Sequence, residues 1–284
     1  MTRSLSTRLP GEAQGSIAAL FGLLASVLLA APALAQSHDD LLDALKTDEM
    51  LAIMREEGVG YGDELALDLF ASGQNPRWSA LVSDLYNTDA MRQVVSETFS
   101  ETLAEPNIAP LLDYFAHGDG AYVVTLELAA RRAMVDETVE DIARNAYQSA
   151  LADDDPRLVL IDRFVAANDL VEANVEGALN ASYQFYRGLV EGGAFRMTEE
   201  DILADVWGQE EETRIDTREW LYGFLLLAYG PLDDAELEGY VEMSESARGQ
   251  ALNRALFAGF NAMYDKISYG LGLAAAQQMQ GQDL

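Results

Sequence analysis

Two histidines, several runs of carboxylates and the absence of cysteine define the chemistry this chain could perform. A histidine acting as general base needs a positioned partner inside a cleft. His117 has Asp113 one helical turn before it and Asp119 beside it, but it sits in the glycine-rich stretch His117-Gly-Asp-Gly120, which reads as a surface turn. His38 lies close to the start of the exported chain proposed below and is expected to be mobile. The acidic runs Asp153-Asp-Asp155, Glu210-Glu-Glu212 and Asp233-Asp234 could supply the facing pair of carboxylates that a glycosidase requires, about 5–10 Å apart depending on mechanism. They fall where helix caps and solvated faces are expected, and none follows the calcium-loop pattern with its central Gly and terminal Glu. With no cysteine, thiol nucleophiles, cysteine-ligated zinc and redox motifs are excluded. Gly270-Leu-Gly272-Leu-Ala-Ala275 matches part of a dinucleotide fingerprint, but no strand precedes it and no βαβ unit can follow. Gly188-Leu-Val-Glu-Gly192 has a spacing that carries meaning chiefly in membranes. The sequence therefore offers no catalytic, cofactor-binding or metal-binding residues, and no cofactor is expected.

The elements that would position any site are helical throughout. Ser37 to Asp40 reads as a capping box opening a helix that Gly58 stops. Asn75-Pro76 starts a helix through Trp78 and Leu85; Thr88 caps the next, carrying Met91, Val95 and Phe99; Asn107 caps a short one. The longest periodic stretch has Val123, Leu126, Ala130, Met134, Ile142 and Ala146 on one side. Asp155-Pro156 starts the second half. There Thr198 to Asp201 forms another capping box, Thr217 caps the apolar helix at Trp220, Gly230-Pro231 breaks it, and Asp233 caps the next. A last long helix carries Leu252, Leu256, Phe260, Met263 and Ile267.

A displacement of 129 residues lays the second half on the first: Trp78 meets Trp207, Thr88 meets Thr217, Leu103 meets Leu232, Gly120 meets Gly249, and Met134 meets Met263. The expected architecture is all-α, with two copies of a helical unit packed as one compact pseudo-two-fold body. The boundaries are a signal peptide at 1–35, repeat 1 at 36–155 and repeat 2 at 156–284, with Trp78 and Trp207 in equivalent buried sites. In the first segment Arg3 and Arg8 supply a positive end, Ile17 to Ala31 an apolar run, and Ala33-Leu34-Ala35 a small-x-small cleavage site before Gln36. That run is shorter than the ~20 residues a membrane span needs. The reading is secretion into a bacterial periplasm, with no transmembrane span after cleavage.

Removing Arg3, Arg8 and Glu12 shifts the net charge from −30 to −31. A field of that sign repels phosphate backbones, so nucleic acid is excluded as a partner. The segments Leu45–Leu65 (LKTDEMLAIMREEGVGYGDEL), Asp234–Val241 (DAELEGYV) and Ser246–Ala251 (SARGQA) resemble periplasmic proteins of the domain of unknown function 2059 family. The resemblance implies a helical, exported, envelope-associated protein and brings no catalytic residues with it. The first half departs from the family pattern, with Gly120-Ala121 where Gly249-Gln250 stands.

Aromatic residues concentrate in the second half: Tyr183, Phe185, Tyr186, Trp220, Tyr222, Phe224 and Tyr229. Most are expected in the core, with some free to line a groove for an apolar ligand or a partner helix. The leading expectation is a non-catalytic binding, adaptor or chaperone-like protein of the cell envelope, with an envelope protein or an apolar ligand as partner. The rivals are a periplasmic hydrolase using paired carboxylates and a carrier of a small apolar ligand.

Overall fold

The computed structural model describes residues 37–70, 73 and 75–282. The export segment read at residues 1–35 lies outside them. Among the described residues every regular element is a helix, and none is long and apolar enough to cross a membrane. In chain order the helices are α1 (His38–Ala44), α2 (Thr47–Leu69), α3 (Pro76–Leu85), α4 (Thr88–Thr102), α5 (Ile108–Ala116), α6 (Gly118–Ala133) and α7 (Glu137–Ala152). They continue as α8 (Arg157–Ala167), α9 (Leu170–Glu191), α10 (Glu199–Trp207), α11 (Glu210–Tyr229), α12 (Asp234–Glu245) and α13 (Ala247–Gln282).

Local signals set many of the boundaries. Ser37, Thr198 and Asp233 form capping boxes with Asp40, Asp201 and Glu236. The Asn75 side chain accepts from the backbone N–H of Arg77 and Trp78, ahead of Pro76. Each cap satisfies amides that the first turn leaves without an intrahelical acceptor. Asp155 Oδ1 accepts from Arg157 N at 2.9 Å and so opens α8.

Other boundaries differ from the sequence expectation, each for a tertiary or local reason. Gly58 does not stop its helix; α2 runs on to Leu69. A methyl group at Gly58 would overlap the ring of Tyr86, so the glycine serves close packing rather than termination. The break comes earlier, at Lys46, whose left-handed backbone (φ 53°, ψ 41°) separates α1 from α2. Asn87, not Thr88, caps α4 by accepting from Ala90 N. The long periodic stretch is two helices, because Asp136 leaves helical geometry and caps Thr138 N. Thr217 lies inside α11, which already begins at Glu210. His38 is held rather than mobile: its Nε2 is 2.7 Å from the carbonyl oxygen of Leu103, and its ring meets Phe99 edge-on.

Helix pairings recur along the chain. α1 packs on α5 as α8 packs on α12; α2 packs on α3 and α4 as α9 packs on α10 and α11; α5 packs on α6 as α12 packs on α13. The fourth helix of each series crosses to the other: α4 lies along α13, and α11 lies along α6 and α7. Lys46 and Asp169 share a left-handed backbone at the start of α2 and α9. A methyl group on Gly120 would overlap the Tyr114 carbonyl, and one on Gly249 would overlap that of Met243, 129 residues on.

The most extensive helix contact is α9 against α13. Gly188 and Gly272 make it possible, since a methyl group on Gly188 would overlap the Tyr269 carbonyl and one on Gly272 that of Phe185. The spacing of Gly188 thus matters outside a membrane, as the route to backbone-to-backbone approach.

The two indoles are not equivalent. Trp78 is fully buried, donates its Nε1–H to the Gly62 carbonyl at 2.8 Å and meets Phe70 edge-on. Trp207, the last residue of α10, is 60% exposed. The ungapped displacement of 129 suits Gly120 and Gly249 but fails upstream, where Lys46 and Asp169 stand 123 apart. Trp78→Ala is expected to cost about 3–5 kcal/mol, and Trp207→Ala to stay within about 0.5 kcal/mol, as read by urea unfolding. Equal losses would restore the equivalence.

Candidate functional site

Helix α2 stands across from α9 and α13, and the space between them is an apolar groove. One stretch, about 610 Å³, is walled by Met50 and Met54 of α2, Gly177, Ala178 and Ala181 of α9, Trp220 and Phe224 of α11, and Leu256, Phe257, Phe260 and Tyr264 of α13. A second stretch, about 670 Å³, is lined by Glu57, Tyr61, Tyr86, Phe185, Tyr186, Phe195 and Leu271 among others. The two share Met54, Ala178, Ala181 and Tyr264, so they meet there. The small residues of α9 leave the room; larger ones would close it. Both volumes fall in the range of small-molecule sites.

One carboxylate enters the first stretch. Glu127, on the inward stripe of α6 with Val123, Val124 and Ala130, accepts hydrogen bonds from Tyr229 Oη at 2.6 Å and Tyr240 Oη at 3.1 Å, both at Oε1. Its Oε2 has no hydrogen-bond partner among the described residues and is not sealed from the groove. Burial pushes the Glu127 carboxyl above its ordinary range, and only the two tyrosine hydroxyls oppose that. Burial also raises Tyr229 and Tyr240 well above the usual phenol value, with the Glu127 charge adding to it. Tyr114, on the neighbouring α5, is pushed up to about 12, chiefly by burial.

One turn further along α6, Arg131 lies 4.7 Å over the Trp220 ring and pairs with Glu57 at 2.6 Å. Glu57 is raised by burial, and the Arg131 charge works against that. Trp220 and Phe224 stack with ring centroids 5.4 Å apart.

Of the aromatic residues singled out in the sequence, Trp220, Phe224 and Tyr229 line the first stretch and Phe185 and Tyr186 the second. Tyr183 lies elsewhere, donating to Glu199 at 3.0 Å. Tyr222 is buried, stacks on Tyr147 and donates to Asp162 at 2.7 Å. Sequence reading missed Glu127, Tyr240 and Tyr264. The signal for Glu127 was a single carboxylate at helical spacing within an apolar stripe.

The acidic runs have structural partners. Asp155 and Asp233 cap helices, Glu210 pairs with Arg214 at 2.8 Å, and Asp234 with Arg157 at 3.4 Å. His117 is exposed at the start of α6. No cluster of three or more His, Asp or Glu able to hold a metal occurs among the described residues. Compared with family models, curated proteins and solved structures, the chain finds no match in any of the three.

The groups facing Glu127 are Tyr229 from α11, Tyr240 from α12 and Tyr114 from α5, with Arg131 on its own helix. Its folded-state pKa lies above the ordinary 4.5. The stability it contributes is therefore complete below that value and is lost as pH rises through the folded one. Glu127→Gln retains an oxygen acceptor for both hydroxyls. Its stability relative to wild type is expected to increase from pH 4 to pH 8 in urea unfolding, and a flat difference would place the carboxylate in solvent.

Proposed function

We propose that the chain is an exported, non-catalytic carrier of the bacterial cell envelope, holding an elongated apolar ligand between α2 and the α9–α13 pair. One observation supports this reading above the others. The groove joins walls of Met50, Met54, Trp220, Phe224, Phe257 and Phe260 to a few polar side chains, Asn174, Asn253 and Asn261 among them, and to one carboxylate, Glu127. Small-molecule sites combine apolar walls with a few placed polar atoms in this way.

The hydrolase reading needs two carboxylates facing one bond. In the first stretch Glu127 is the one carboxylate among the lining residues, and Glu57 in the second is paired with Arg131. The adaptor or chaperone reading shares export and lack of catalysis with the carrier and differs in what fills the groove.

Two further expectations belong to the same proposal. The recurring helix pairings, the shared backbone of Lys46 and Asp169 and the matching contacts of Gly120 and Gly249 support two copies of one helical unit, with extra residues of the second copy falling between the start of α11 and the start of α13. The resemblance to the domain of unknown function 2059 family and the segment ending at Ala35 support release into a periplasm. N-terminal sequencing of the chain expressed in a bacterium and recovered from its periplasm is expected to begin at Gln36; retention of Met1 would remove the export reading.

The neutral probe N-phenyl-1-naphthylamine is expected to bind saturably, with its fluorescence rising on entry to the groove. Ala178 is exposed on the groove wall, so Ala178→Phe fills space without entering the core. It is expected to weaken the probe about tenfold or more, a change of about 1.4 kcal/mol, with the melting temperature unchanged. No saturable binding by wild type would end the carrier reading.

A further inference from the structure

The polar end of the groove has a definite sign. Tyr229 and Tyr240, whose hydroxyls meet the Glu127 carboxylate, pack with Phe164, the ring centroids between 5.1 and 5.7 Å apart. Both tyrosine hydroxyls converge on Oε1, leaving Oε2 as a hydrogen-bond acceptor open to the groove. The cation nearest along the helix, Arg131, is tied to Glu57 and laid over Trp220. No cation of the described residues therefore compensates Glu127.

An anionic head would meet this carboxylate directly and would approach a chain of net charge −30, an unfavourable combination at both long and short range. A hydroxyl head could donate to Oε2 but would bring no counter-charge to favour ionisation of the buried carboxyl. An ammonium head supplies both the N–H donor and the opposite charge.

We infer that the groove takes a single-chain amphiphile with a primary ammonium head, the head seated on Glu127 Oε2 beside Tyr240 and the apolar tail running past Met54 and Tyr264. This inference rests on the carrier reading and narrows its ligand. Binding would restore full charge to Glu127, because a paired carboxylate ionises more readily than a desolvated lone one.

The test is calorimetric titration of the exported chain with dodecylammonium, dodecan-1-ol and dodecanoate, each below its aggregation threshold. Dodecylammonium is expected to bind at least tenfold more tightly than the other two. In Glu127→Gln the alcohol is expected to bind as in wild type, while the preference for the ammonium falls to within about threefold. Glu127→Asp, which keeps the charge on a shorter arm, is expected to retain more of the preference than Gln; the melting temperatures of both variants report their folding. Equal affinity for the three compounds, or a preference that survives in Glu127→Gln, would overturn the ammonium inference and leave the carrier reading standing. Failure of all three to bind, together with failure of the neutral naphthylamine probe, would remove both.

Discussion

The contact between α9 and α13 is the constraint on which the rest of the described structure depends. Two helices whose backbones touch at Gly188 and Gly272 cannot have a large side chain between them, so their axes approach closely along the shared seam. Helix α13 runs uninterrupted for 36 residues. Its first half meets α12 and the core that includes Leu252 and Ala255; its second half carries Met263, Ile267 and Leu271 into the core built on Trp78 and on Met91 and Val95 of α4. Because α9 is pulled onto α13, α2, held by α3 and α4, stands opposite them with an open groove between. The groove is a consequence of that close packing, and the small residues Gly177, Ala178 and Ala181 keep it open.

Glu127 makes little sense as a stabilising residue. A lone carboxylate taken out of water is unfavourable, and two tyrosine hydroxyls soften that cost without removing it. An apolar residue of similar volume would fill the same space at less expense, though it would leave the hydroxyls of Tyr229 and Tyr240 without their acceptor. The arrangement is self-consistent as a set: three polar groups from α6, α11 and α12 satisfy one another and retain one free acceptor oxygen. Such destabilised positions are typical of places where a protein meets something else.

What could be read from the sequence divides along the range of the interactions involved. The caps at Ser37, Asn75, Thr198 and Asp233 were legible because each depends on a side chain and amides two or three residues away. Gly58 was misread because its partner, Tyr86, lies far along the chain. Thr217 has the right chemistry for a cap, but the turns before it are already helical. The displacement of 129 placed Gly120 and Gly249 correctly and Trp207 wrongly, since a rigid displacement cannot accommodate the extra residues that enter after α11 begins. The aromatic wall was partly legible from composition. Its meeting with α2 and with Glu127 was not, because nothing local places α2 opposite α9.

The scarcity of cations explains why Glu127 has no counter-charge of its own. With 18 basic residues against 48 acidic ones, arginines serve as ties between helices. Arg92 gathers Asp39, Asp43 and Asp48; Arg163 joins α8 to Glu238 and Glu245 of α12; Arg144 joins α7 to Asp216 of α11; Arg214 joins α11 to Glu172 of α9. Exposed pairs of this kind add little stability individually, but they fix which helix lies beside which. Arg131 follows the same rule, bridging α6 to Glu57 of α2 at the edge of the groove. It is the cation nearest to Glu127 along α6, and its pairing with α2 engages it elsewhere. The same ion pair that holds the groove wall therefore leaves the Glu127 carboxyl with only the two tyrosine hydroxyls as partners.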